Sequence, residues 1–142
     1  PECGAATIAG RTCQDLLHDL LGRKYAAETA EYGLAIACYT LQHPAQQTDE
    51  ALEWAHFQVV EAAEHDSPLD EIRMVARAQF DHLDQRRSRA PPESLRATID
   101  GLEWRRNIGD LTAAGFDTAS IRLWARAIIA DLNGGRCPGL QR

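Results

Sequence analysis

The sequence is short of lysine, with Lys24 the one residue of its kind among 142. Lysine and arginine together number 15 against 21 acids, a net charge of −6. That balance excludes a nucleic-acid binder, because neutralising phosphates requires a basic face. Long apolar runs are also missing. The longest apolar run without charge, Tyr32 to Leu41, is about half of what a membrane span requires. Pro1-Glu2-Cys3 is not the basic start followed by an apolar stretch that marks a signal peptide, so the chain is expected in the cytoplasm. No segment alternates apolar and polar residues as a strand does. Gly-x-Ser-x-Gly and glycine-rich phosphate loops are absent, which removes the common nucleophile and phosphate chemistries. Four cysteines do not make a disulfide scaffold in a chain long enough to bury its own core.

What is present fits one globular unit, with 44% apolar and 25% charged residues. We read residues 1–142 as a single helical domain, with a cysteine-containing arm at 1–11 and a flexible tail at 133–142. Thr12 caps a first helix running to about Tyr25, with Leu16, Leu17, Leu20 and Leu21 on one face. Glu31 to His43 is a second helix, ended by Pro44 and apolar on nearly every side, as the central helix of a bundle is. Thr48 caps a third helix through about His65, with Leu52, Ala55, Val59, Val60 and Ala63 inward. Ser67 as cap and Pro68 at the first position start a fourth, whose stripe is Leu69, Ile72, Val75, Ala76, Phe80 and Leu83. Ser88 to Glu93 reads as a loop. A short turn before Gly101 and a segment at Ile108 to Ala114 are weaker signals. Asp117 or Thr118 caps a last helix through Leu132, closed by Gly134, with Ile121, Trp124, Ala125, Ile128 and Leu132 inside. The expectation is an all-α compact bundle of about five helices, mostly antiparallel because the connections are short.

Charge is unevenly spread. No Lys or Arg lies between Lys24 and Arg73, while ten acids run from Glu28 to Glu71. Such a stretch reads as an acidic helix surface facing solvent or an arginine-bearing neighbour, or else as a face for a cationic partner.

Two constellations carry possible chemistry. Pro1-Glu2-Cys3-Gly4 matches the second half of a Cys-Pro-x-Cys-Gly zinc knuckle, whose first cysteine would precede Pro1. Cys13 begins the first helix, where the dipole favours a thiolate. Two antiparallel helices return His43 to the end that holds Cys13, and two more bring His82 there. Cys3, Cys13, His43 and His82 are therefore the expected metal ligands, with zinc the ion that such a set would hold. Against this, His43 could simply cap helix carbonyls, and Cys3 and Cys13 could form a disulfide. The second constellation is Glu53-Trp54-Ala55-His56, a Glu-x-x-His on a helix. The nearest second copy, Asp15-Leu16-Leu17-His18, faces away from the leucine stripe, so a di-metal bundle is not expected. His56 could share a mononuclear site with His43, or be a core histidine bonded to Glu53 or Tyr39. Glu61 and His65, four apart, read as a helix-surface pair. Cys38 reads as a small core residue. Trp54, Trp104 and Trp124 read as core or interface anchors. Cys137 belongs to the tail.

Pro1-Glu2-Cys3-Gly4-Ala5, Arg11-Thr12-Cys13-Gln14, Tyr39-Thr40-Leu41-Gln42-His43-Pro44 and Trp124-Ala125 together resemble an uncharacterised bacterial family, domain of unknown function 5946. The resemblance covers most of the chain and implies a compact helical domain with cysteines at the front and a histidine ending the second helix. It also implies a histidine just ahead of that helix's first leucine. This chain has Tyr32 and Gly33 there, so if that histidine binds a metal in relatives, the site is lost or altered here. High alanine and arginine with one lysine fit a GC-rich bacterial genome.

Two functions follow as expectations. One is an interaction or binding module, stabilised by zinc or metal-free, whose partner is a protein or a small-molecule ligand. The other is a small tailoring enzyme with an internal pocket lined by Tyr39, His43, His56 and Trp54 for acid–base or metal-assisted chemistry, Tyr39, His43 and His56 being the catalytic candidates.

Overall fold

The computed structural model describes residues 3–4, 10–22, 30–83, 93–114 and 117–134, with side chains throughout these except at 30, 79–83, 93–94 and 112–114. The described residues form helices α1 (Cys13–Leu21), α2 (Ala30–Gln42), α3 (Asp49–Glu64), α4 (Leu69–Leu83), α5 (Glu93–Ile99), α6 (Ile108–Ala114) and α7 (Thr118–Leu132), with a short 3₁₀ turn at Pro44–Gln46. The fold is all-α, and no helix is long and apolar enough to cross a membrane.

The caps show why the helices begin where they do. Thr12 accepts from the backbone of Asp15 while the Asp15 carboxylate accepts from Thr12, a reciprocal box that opens α1. Those bonds hold the Asp15 carboxyl below its ordinary range. Thr48 accepts from Ala51 N–H at the start of α3. Asp117 accepts from Ser120 N–H at the start of α7, which likewise lowers its pKa. Two boundaries differ from expectation. The first helix stops at Leu21, with Gly22 as its cap, because glycine gives up more backbone entropy than other residues in helical geometry. The fourth starts at Leu69, and Ser67 does not cap it. Its hydroxyl instead donates to Glu61 Oε2 at 3.0 Å.

Helix α2 is the centre of the bundle. Leu34, Ala35, Ala37, Cys38 and Leu41 are all buried in it, and α3, α4, α7 and α1 pack around it. Gly33 lies where α3 comes close, since a Cβ there would sit 3.7 Å from Gln58 Oε1. That pairing of the first turn of α2 with the second half of α3 makes the two helices antiparallel. α7 is antiparallel to α3 as well, because Arg122 near its start bonds Ala62, Asp66 and Ser67 at the far end of α3. It therefore runs parallel to α2, and Thr118 Oγ1 donates to Glu31 Oε1 at 2.8 Å where both begin.

The inner stripes match the periodicity with local exceptions. Trp124, Ile121, Ala125 and Ile128 are buried on α7, as are Leu16, Leu17 and Leu20 on α1. Val75, expected inside on α4, is exposed with its neighbour Met74. The inner arc of α4 is narrower than its sequence stripe, centring on Leu69, Ile72 and Ala76. Phe80 and Leu83 have side chains outside the description. Acids of the lysine-free stretch meet arginines from later helices: Asp49 pairs with Arg96, and Asp66 with Arg122 and Arg126. These contacts suit the reading of an acidic surface with arginine-bearing neighbours.

Candidate metal centre

Three elements meet at one end of the bundle. Cys3 comes from the arm, Cys13 is the first residue of α1, and His43 directly follows α2. One ligand atom from each lies within 4.8 Å of the other two, and all three residues are buried. The start of α1 and the end of α2 thus lie together, as the sequence reading expects. Gly4, after Cys3, takes φ 69°, a left-handed turn that glycine adopts without a Cβ penalty.

The two sulfurs are 3.0 Å apart, both as thiols, one donating to the other. A disulfide would bring them to about 2.05 Å. A tetrahedral zinc ion with arms of about 2.3 Å would set them roughly 3.8 Å apart. The observed pair lies between these two distances. Contrary to the expectation from its helix-terminal position, the Cys13 thiol is pushed up to about 11. Burial is the main cause, with the bond to Cys3 and that neighbour's charge adding to it. Loss of hydration here outweighs the helix dipole. A bound cation reverses that balance, since a coordinating thiol is deprotonated by the ion itself.

His43 Nδ1 lies 2.8 Å from the Tyr39 carbonyl. A carbonyl only accepts, so Nδ1 carries the proton and the lone pair of the neutral ring is on Nε2, which is buried. The contact caps one of the C-terminal carbonyls of α2. It is also the bond that orients a metal-binding histidine and sets its tautomer. The capping and ligand readings of His43 are therefore compatible. The Tyr39 ring stacks on the imidazole with centroids 3.9 Å apart and planes 20° from parallel.

No capping or periodicity signal marks the residues that hold this corner in place. Gln42, fully buried, donates from Nε2 to the Arg106 carbonyl at 2.6 Å and accepts from Trp124 Nε1 at 3.3 Å. Arg96 donates to the carbonyls of Pro44 and Gln47 and to the Asp49 carboxylate at 2.8–2.9 Å. Asp131 is buried and accepts from both the backbone and the guanidinium of Arg105. Each contact joins residues at least 26 positions apart, a distance that local pattern reading does not span.

The other expected site residues lie elsewhere. His56 lines an open groove of about 540 Å³ with Glu53, Phe57 and Val60 of α3, Leu95 and Thr98 of α5, and Leu132 and Asn133 at the end of α7. Burial lowers the His56 pKa, with Glu64 pulling weakly the other way. Tyr39, His43 and Trp54 do not line that groove, so the single pocket expected for all four is two separate places. The physical reason is helix phase: His56 points between α5 and α7, while His43 lies beyond the end of α2. Among the described residues, His56 joins neither Cys3, Cys13 nor His43 in a ligand cluster. His82 falls in the stretch without described side chains, and Cys137 lies outside the described residues. Glu61 and His65 form the expected surface pair. Cys38 is wholly buried, and that burial pushes its thiol above the usual range.

Fold and site together define a helical domain whose N-terminal cysteines meet a helix-ending histidine closely enough to hold a metal ion. The model of the Family of unknown function (DUF5946) matches residues 1–133, and the chain belongs to that family. No curated protein and no solved structure matches it.

Proposed function

We propose that this chain is a zinc-held helical binding module, in which Cys3, Cys13 and His43 ligate the ion and His82 completes the set. The observation that carries the reading is the buried meeting of two thiols and an imidazole from three separate elements, all within 4.8 Å. Two sulfurs and one nitrogen form a borderline-soft donor set that suits zinc over hard cations such as magnesium or calcium. Burial suits a structural ion, which closes its coordination with protein ligands, whereas a catalytic ion keeps a position open to water. His82 is proposed because α4 packs along α2 and α3 and, after the tight turn from α3, runs back toward the end where His43 lies. Thiol ligands persist in a reducing compartment, which supports a cytoplasmic setting. The binding role rests on the groove around His56, whose volume falls in the range of small-ligand sites and which combines apolar walls with a few polar groups.

Metal content of the purified protein after zinc loading and desalting tests the reading. The expected result is about one zinc per chain, lost in Cys13→Ala and in His43→Ala and reduced in His82→Ala. A wild-type chain that retains no zinc would overturn it, as would full retention in the Cys13 and His43 variants.

A further inference from the structure

Resting on the metal reading above, we infer that Arg96 is a positioning residue for the metal site, acting on His43 through the turn that follows it. His43 leaves α2 with φ −131° and ψ 58°, outside helical geometry. The turn it enters is one short 3₁₀ turn. His43 N–H reaches the Thr40 carbonyl at 3.2 Å, Gln46 N–H the His43 carbonyl at 3.4 Å and Gln47 N–H the Pro44 carbonyl at 3.1 Å. Arg96 ties this turn to a distant part of the chain. Its two terminal nitrogens donate to the Pro44 and Gln47 carbonyls at 2.9 and 2.8 Å, and its Nε donates to Asp49 at 2.8 Å. One planar fork thus spans the turn from the residue after His43 to the first residue of α3.

The preceding residue is held with equal firmness, since Gln42 is tied to Arg106 and Trp124. His43 therefore sits between two anchors supplied from other parts of the chain. A metal ligand must be placed within tenths of an ångström, and the anchors provide that accuracy. The ion pair with Asp49 is the lesser part of the effect. Both partners are substantially exposed, and such pairs contribute little on their own. The two carbonyl bonds hold the backbone, and losing a contact that orients a metal ligand typically weakens metal binding by about 10–100-fold.

The experiment is a chelator competition for zinc, with visible spectra of the cobalt(II)-loaded protein, on the full chain and four variants. Arg96→Ala should weaken zinc by about tenfold or more and alter the cobalt bands, which report ligand geometry. Arg96→Lys replaces the fork with a point charge and should recover only part of the loss. Asp49→Asn keeps both carbonyl bonds and should stay within about twofold of wild type. Arg122→Ala removes a comparable clamp at the opposite end of the bundle and should leave affinity within about twofold, since distant sites act independently. Arg96→Ala with unaltered affinity and spectrum would overturn the inference and leave the metal reading standing. Equal weakening by Arg122→Ala would also overturn it, by showing general destabilisation. If Arg96→Ala fails to fold, Arg96→Lys decides, and wild-type affinity and spectrum in that variant overturn the inference. A wild-type chain that takes up neither zinc nor cobalt removes both.

Discussion

Leucine in place of Gln42 changes the volume of the last turn of α2 very little and removes two polar atoms from its interior. Gln42 is 0% exposed, its Nε2 bonds the Arg106 carbonyl at 2.6 Å, and its Oε1 takes the Trp124 indole proton at 3.3 Å. The substitution leaves that indole N–H and that carbonyl facing an apolar side chain. Each orphaned group costs about 1–3 kcal/mol. The carbonyl lies in a partly buried loop where water can take over, so its cost belongs at the low end of that range. The indole nitrogen is on a residue 1% exposed and belongs near the top. Leucine returns roughly 1 kcal/mol through its easier transfer from water. The net loss is about 2–4 kcal/mol, or a fall in Tm of roughly 10 °C at this chain length. Urea unfolding followed by circular dichroism measures it. A loss under about 1 kcal/mol would refute the reasoning. A double-mutant cycle with Trp124→Phe sharpens the test: the two changes share a bond, so additivity within about 0.5 kcal/mol would show that the pair is not coupled.

The stability of the fold should also depend on pH through His56. Burial keeps its folded pKa below the ordinary 6.5, so below that pH the unfolded chain takes up more protons than the folded one. The contribution is intact above about pH 6.5 and is lost as the pH falls through the lowered folded value. His56→Gln should flatten the decline in urea midpoint between about pH 7.5 and 5.5, and parallel curves for the two proteins would contradict the assignment. Cys38, wholly buried with its thiol pushed upward, should resist maleimide in the native protein and react only on unfolding, as read by peptide mass mapping. Labelling at the rate of an exposed thiol would contradict its burial.

Periodicity made the helices legible, because each buries one stripe and that stripe recurs with the helical turn. The caps Thr12, Thr48 and Asp117 could be read for the same local reason: each bonds within its own first turn. Ser67 misled because its hydroxyl found Glu61 across a turn instead of the backbone ahead of it. The cluster of Cys3, Cys13 and His43 is half legible in the sequence. Helix lengths and directions brought Cys13 and His43 to one end, and the arm motif supplied Cys3. What local reading missed is tertiary. Arg96 and Gln42 resemble ordinary surface and helix-end residues in sequence, and only the packed turn gives them acceptors. The Cys13 thiol was misjudged for a related reason, since a helix terminus lowers a thiol's pKa only while water or charge remains near it, and here neighbours exclude the water. His56 and His43 looked like partners on the strength of residue type alone, and the phase of α3 separates them.

Helices α2, α3 and α7 share the most extensive packing and contain many of the deepest side chains, among them Trp124, Leu34, Leu41, Leu52, Ile121 and Ile128. α1 differs, being nine residues long, below the length at which a helix persists alone. It rests chiefly on α6 and on the end of α2. Its three buried leucines anchor one face, while its N-terminal end meets the rest of the fold through Cys13. An ion bound by Cys3, Cys13 and His43 would close loops of ten and thirty residues at that weak corner, where cross-linking offsets the most chain entropy. The placement of the ligands supports this division of labour. His43 directly follows the central helix, with its tautomer set by Tyr39 and its backbone held from both sides, whereas the cysteines belong to the elements that need fastening. With the proposed ion bound, the histidine would serve as the fixed post and the ion as the tie that fastens the N-terminal segment to it.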